Sequence, residues 1–232
     1  MGKMKNKEII NNYLRKYKIE SVFPEEVQHL LSLVSFVEGE VICSQGQLAE
    51  NLYILVEGKI KVYTTSAEGR TLILSFKNPV EIIGDIEYIR GIDIINTVEA
   101  VSAVSMISIS YVVLKKYAKD YAPLLNFLLD IITKKFQLKN SSLTFNLFYS
   151  VEVRLASYLL SVSSQETDFP EEDKGSIVYI RDAANLIGTS YRHVNRVIQK
   201  FLADGLIERQ KGFIYVKNRE GLKQIAGDNI YE

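Results

Sequence analysis

Thiol and imidazole side chains, the usual ligands of zinc and iron, are nearly missing from this chain. Cys43 is the only cysteine in 232 residues, which excludes an intrachain disulfide, a thiolate zinc site and the usual iron–sulfur set. Two readings stand for the thiol itself, a buried small side chain or a redox sensor. His29 and His193 are the only histidines, so neither a histidine-rich metal centre nor any cofactor is expected. Long apolar runs are missing too. No stretch approaches the roughly eighteen uncharged apolar residues of a membrane span, and the start, MGKMKNKEIINNYLRKYK, lacks the apolar middle of a signal peptide. A soluble, cytoplasmic protein with no membrane partner is expected.

Net charge is also missing, since 28 basic and 28 acidic residues cancel. A general polycation is thereby excluded, and distribution becomes the informative quantity. Between Arg181 and Val216 the charged residues are Arg181, Arg192, Arg196, Lys200, Arg209 and Lys211 against Asp182, Asp204 and Glu208. Just before them, QETDFPEED concentrates acids. A locally basic segment in a neutral chain is the footprint of a specific phosphate-contacting surface.

With 47% hydrophobic residues, the chain can bury a sizeable core in one large or two modest domains. From Ser35 to Ser110 it is rich in Val, Ile, Tyr and Thr, punctuated by Gly39, Gly46, Gly58, Gly69, Gly84 and Gly91. That composition predicts short strands separated by turns, hence a small barrel or sandwich. From Pro123 to Phe148, apolar residues recur at three- and four-residue spacing through Leu125, Leu128, Leu129, Ile132 and Phe136. The spacing predicts a long helix with Pro123 in its first turn, where a missing N–H costs nothing. Its apolar face is too broad for one contact. Either one side forms a homodimer seam or the whole helix is buried within one subunit. A second helix follows over Val151 to Ser163.

The segment RDAANLIGTSYRHVNRVIQKFLADGLIERQKGFIYV carries the functional signal. A short helix to Ile187 and a tight turn at Gly188 lead to Ser190, a natural N-cap. Val194, Val197, Ile198, Phe201 and Leu202 form one apolar face of the next helix. Arg192, Asn195, Arg196 and Gln199 then point outward, with Tyr191 and His193 at the exposed entry. Ala184 and Gly188 are small enough to let the two helices cross. After Gly205 a strand, a turn at Lys211-Gly212 and a second strand complete a winged helix-turn-helix. Helices usually open with acids, which suit the positive end of the dipole. This one opens with donors, as a helix entering the DNA major groove requires. Arg192, Arg196, Tyr191, His193 and Asn195 are expected at bases or neighbouring phosphates, and Ser190, Lys200, Arg209 and Lys211 at the backbone.

Taken in order, Gly39-Glu40, Gly46, Tyr53 to Leu55, Gly58, Val62, Gly69 and Ile82 to Ile86, followed by a long helix and a winged helix-turn-helix, resemble the CRP/FNR family of bacterial transcription regulators. GTSYRHVNRVIQKFLADGLI is similar in particular to the YeiL-like branch, where Tyr-Arg-His also opens the recognition helix. The resemblance implies an α+β chain in three parts. Residues 1–122 would hold N-terminal helices and a cyclic-nucleotide-binding-type β-roll (a double-stranded β-helix). Residues 123–149 would form a dimerisation helix, with Leu125, Leu128, Leu129, Ile132 and Phe136 at its interface, and 150–232 the DNA-binding domain. It also implies a homodimer on a two-fold symmetric DNA operator that recruits or blocks RNA polymerase.

Departures from the family pattern bear on the effector. The Arg-Ser or Arg-Thr pair that holds cyclic AMP is matched by Ile94 and Ile95, and the Glu of the preceding motif by Asp85. A phosphate there would lose a charged partner and a hydroxyl, a loss of at least about 2–3 kcal/mol, so cyclic AMP is not expected. No N-terminal cysteine cluster stands for oxygen sensing, and His29 lies outside the region expected to hold haem. Two states of the roll remain: filled and unliganded, or holding a small apolar or uncharged effector bounded by Gly84, Asp85, Ile86, Ile94 and Ile95 and closed by Asn140 and Ser141. The Glu that reads cytosine in relatives is Arg192 here, so guanine contacts from Arg192 or Arg196 are expected instead. A second functional class is a small-molecule-binding dimer that has lost specific DNA affinity. An enzyme is not expected, as neither a cysteine–histidine pair nor a phosphate loop is present.

Overall fold

The computed structural model describes residues 2–69, 71–163, 180–210 and 213–227. It divides into two compact units, Met1–Gln137 and Leu138–Glu232. The first opens with helix α1 (Gly2–Lys16) and the short α2 (Glu25–Gln28). Six strands follow: β1 (Ser32–Phe36), β2 (Val41–Cys43), β3 (Asn51–Glu57), β4 (Ile60–Thr65), β5 (Thr71–Lys77) and β6 (Glu81–Ile83). Helix α3 (Asp85–Arg90) leads to β7 (Thr97–Ala100) and β8 (Val104–Ser110), and then α4 (Tyr111–Tyr117) and α5 (Ala122–Phe148).

The strands form two four-stranded antiparallel sheets, ordered β1-β8-β3-β6 and β2-β7-β4-β5. Strand side chains alternate between faces, and β3 uses both. Leu55 joins Ile60, Ile83, Val98, Val104 and Met106 in one cluster. Leu52, Ile54 and Val56 join Ile10 and Leu14 of α1, Leu114 of α4, and Leu124 and Leu128 of α5 in another. Each fully buried Leu or Ile is worth about 1.5–3 kcal/mol. The helices therefore cover the outer face of one sheet, while strands of the other sheet cover its inner face.

Helix α5 starts one residue before Pro123, and its two faces part within unit one. Leu124 and Leu128 are buried in the roll's core, while Leu125, Leu129 (61% exposed) and Phe136 (66% exposed) point away. Leu128, only 1% exposed, is a correction to the expected interface set. Successive helical residues are about 100° apart, so Leu128 turns to its own roll where Leu129 does not.

The second unit contains the remainder of α5, α6 (Val151–Ser163), α7 (Ile180–Leu186), α8 (Tyr191–Ala203), the hairpin β9 (Ile207–Gln210) and β10 (Phe213–Val216), and α9 (Arg219–Ala226). One core joins Leu155 and Leu159 of α6, Ala184 of α7, Val194, Ile198 and Phe201 of α8, and Leu222 of α9. Among the described residues no helix is long and apolar enough to cross a membrane.

Candidate nucleic-acid interface and sensor loop

Helix α8 is positioned from its first residue. The Ser190 hydroxyl oxygen accepts the His193 backbone N–H at 3.2 Å, a cap worth about 1 kcal/mol. Ahead of it Gly188 takes φ 66°, and the Thr189 N–H returns to the Ala184 carbonyl at 3.0 Å, closing α7. Val194, Val197, Ile198 and Phe201 are buried. Rotation then exposes Tyr191, Arg192, Arg196, Gln199 and Lys200, with His193 and Asn195 half-buried. Arg192 and Arg196, four residues apart, share a face. Arg209 is exposed on β9. Lys211 lies outside the described residues.

Two features of this unit escape a sequence reading. Lys200 is engaged within the chain, its Nζ 2.6 Å from Glu152 Oε1 on α6. Arg154, buried on α6, donates from Nη1 to the Ile187 carbonyl and, at 3.4 Å, to Asn146 Oδ1. Its guanidinium thus satisfies a carbonyl left over at the end of α7, immediately before the turn into α8. The signal for it was a single arginine inside the apolar run VEVRLASYLL.

In unit one the connection from β6 to β7 holds the residues expected around an effector. Gly84 adopts φ 89°, and a Cβ there would lie 2.5 Å from Tyr111 Oη and 2.7 Å from the Asn51 carbonyl, so only glycine fits. Tyr111 Oη donates to the Gly84 carbonyl at 2.6 Å. Asp85 is 3% exposed and its Oδ2 meets Lys135 Nζ of α5 at 2.9 Å. The same ammonium donates to the Ile82 carbonyl at 2.5 Å and lies 3.0 Å from Glu81 Oε1, while Glu81 Oε2 meets Lys77 at 3.1 Å. Buried Glu87 accepts the Ile95 N–H at 3.0 Å. Ile94 is buried, whereas Ile86 and Ile95 are partly exposed. Asn140 and Ser141 are exposed on α5 beyond the division between the units.

The electrostatics follow from these neighbours. Burial raises the Glu81 carboxyl, but the Lys135 and Lys77 ammoniums more than offset it and hold its pKa below the ordinary value. Burial, with the Glu87 charge adding to it, pushes the Cys43 thiol up to about 11. Tyr111 is raised mainly by burial, then by Glu87 and Asp85. The loop thus carries two buried carboxylates of its own, Asp85 and Glu87.

Residues 33–121 match the cyclic nucleotide-binding domain, and residues 153–225 the Crp-like helix-turn-helix domain. The regulatory protein YeiL of Escherichia coli O157:H7 is 30% identical over 201 residues, spanning 84% of this chain and 85% of YeiL. This chain belongs to the CRP/FNR family of transcription regulators. A CRP-like cAMP-activated global transcriptional regulator of Mycobacterium tuberculosis is 22% identical over 84% of this chain and 88% of its own. A CRP-family transcriptional regulator from Thermus thermophilus shares the fold, with a TM-score of 0.72 and 20% identity over 86% of this chain and 98% of that one. This CRP/FNR member is therefore a transcription regulator with a DNA-binding helix-turn-helix and a cyclic-nucleotide-binding-type roll.

Proposed function

We propose that this CRP/FNR regulator binds a two-fold symmetric operator as a homodimer, and that cyclic AMP does not control it. The observation that carries the reading is the outer face of α8. Arg192 and Arg196 stand exposed together on a helix whose opposite face is buried, ready for bidentate contacts to guanine O6 and N7. The exposed stripe Leu125, Leu129 and Phe136 supports pairing of two long helices. Ile94 and Ile95 stand where an anion's partners are needed, and Glu87 takes the Ile95 N–H, which argues against a cyclic phosphate. Ser190, Tyr191, His193, Asn195, Lys200, Arg209 and Lys211 supply the remaining base and backbone contacts, and RNA polymerase is the onward partner.

The test is selection of bound duplexes from a random DNA pool by the untreated protein. A palindromic winner with guanines in each half-site supports the reading. A pool that stays random contradicts it.

A further inference from the structure

Several polar groups of the β6–β7 connection are already held by the chain's own side chains. Tyr111 donates to the Gly84 carbonyl, Lys135 binds Asp85, Glu81 and the Ile82 carbonyl, and Glu87 takes the Ile95 N–H. The backbone of Ile94 is spent as well, its N–H on the Gln47 carbonyl and its carbonyl on the Gly46 N–H, both at 2.8 Å. A buried polar group already paired offers an incoming ligand little, because the new bond replaces an old one.

Lys135 differs from the other ties in its origin. Tyr111, Glu87 and Gln47 belong to the roll and the helices flanking it, whereas Lys135 comes from α5. Leu124, Leu128, Ile131 and Lys135 follow one another at four- and three-residue spacing, the spacing of a single helix face. Leu124 and Leu128 are buried in the roll's core, with Ile131 packed against it. Leu125, Leu129, Ile132 and Phe136 repeat that spacing one residue on, and Phe136 directly follows Lys135. The grip of the inner face on the roll therefore fixes the rotation of the outer apolar stripe. Glu81, held ionised by Lys135 and Lys77 despite its burial, is consistent with a cluster charged on both sides.

We propose that Lys135 does the work of a diffusible effector, tying the sensor loop to the long helix through Asp85 and Glu81, so that the regulator keeps its DNA-competent arrangement with no small molecule in the roll. The inference rests on the DNA-binding reading above and concerns its regulation. Lys135 is a positioning residue, acting on DNA only through α5.

Two experiments on the full chain test it, both read as affinity for the duplex selected with untreated protein. In the first, wild-type protein is unfolded in guanidinium, desalted and refolded until its far-UV circular dichroism and its mass in solution match the untreated sample. Affinity within twofold of the untreated protein is expected. A tenfold or greater loss overturns the inference. In the second, Lys135→Met is expected to lose at least tenfold in affinity and Lys135→Arg to stay within threefold, with helix content unchanged. Lys135→Met binding as tightly as wild type overturns the strut, and should that variant not fold, Lys135→Gln is read against the same limits. An untreated protein that selects no duplex takes down the DNA reading and this inference together. An untreated binder that fails once stripped takes down this inference alone.

Discussion

Lys200 and Glu152 stand 2.6 Å apart on α8 and α6, so the ammonium expected at a DNA phosphate already has an anionic partner within its own chain. Exposed pairs of this kind are weak, because water screens them and two long side chains must be ordered, and a phosphate in a groove competes with them readily. Glu152→Gln should raise affinity for all duplexes up to about fivefold, and Lys200→Ala should lower it evenly across sequences. Fluorescence anisotropy on specific and scrambled duplexes reads both effects.

Arg192 is exposed and packs against nothing in the core, so Arg192→Ala should leave folding unchanged. Discrimination at one operator position should fall by about 1–3 kcal/mol. Competition between the selected duplex and single-base variants measures it, and equal weakening on every variant would refute a base-reading role.

Arg154 is buried with its guanidinium on the Ile187 carbonyl. Arg154→Met removes that donor and leaves a carbonyl without its partner, at a cost of about 1–3 kcal/mol. Urea denaturation should show a lowered midpoint for the second unit, and the turn into α8 should lose rigidity with it.

Cys43 is the only thiol, and its pKa of about 11 keeps the reactive thiolate scarce at neutral pH. The thiolate is the nucleophile, so alkylation by iodoacetamide at pH 8 should run about 100-fold slower than for a free thiol near its ordinary value of 9.0. The rate should keep climbing as pH rises toward 11. A plateau near pH 9 would show that the site opens in solution.

Much of this architecture was legible because it follows periodicity. Ser190 could be read as an N-cap, the buried face of α8 as Val194, Val197, Ile198 and Phe201, and the long helix as starting at Pro123. What escaped depends on tertiary partners. Leu128 and Leu129 are chemically identical neighbours, and only the position of the roll decides which is buried. Lys135 reads as a solvated helix lysine until the fold brings it to Asp85, fifty residues away. The bond from the Ile95 N–H to Glu87 is a product of the loop's closure, with no signature in the local sequence. Helix α9 has little signature in the sequence. Its buried residues, Leu222 and Ala226, are too few to make a pattern, and it forms because α6 and Leu206 provide a surface for it.

The central claim, a dimeric reader of DNA, is tested most directly by the mass of the protein–DNA complex on the selected palindrome, with affinity followed across a salt series. The account predicts two chains per duplex. With about three cations per protomer neutralising phosphates, log K should fall with log salt at a slope near −5. One chain per duplex, or an affinity indifferent to salt, would contradict it.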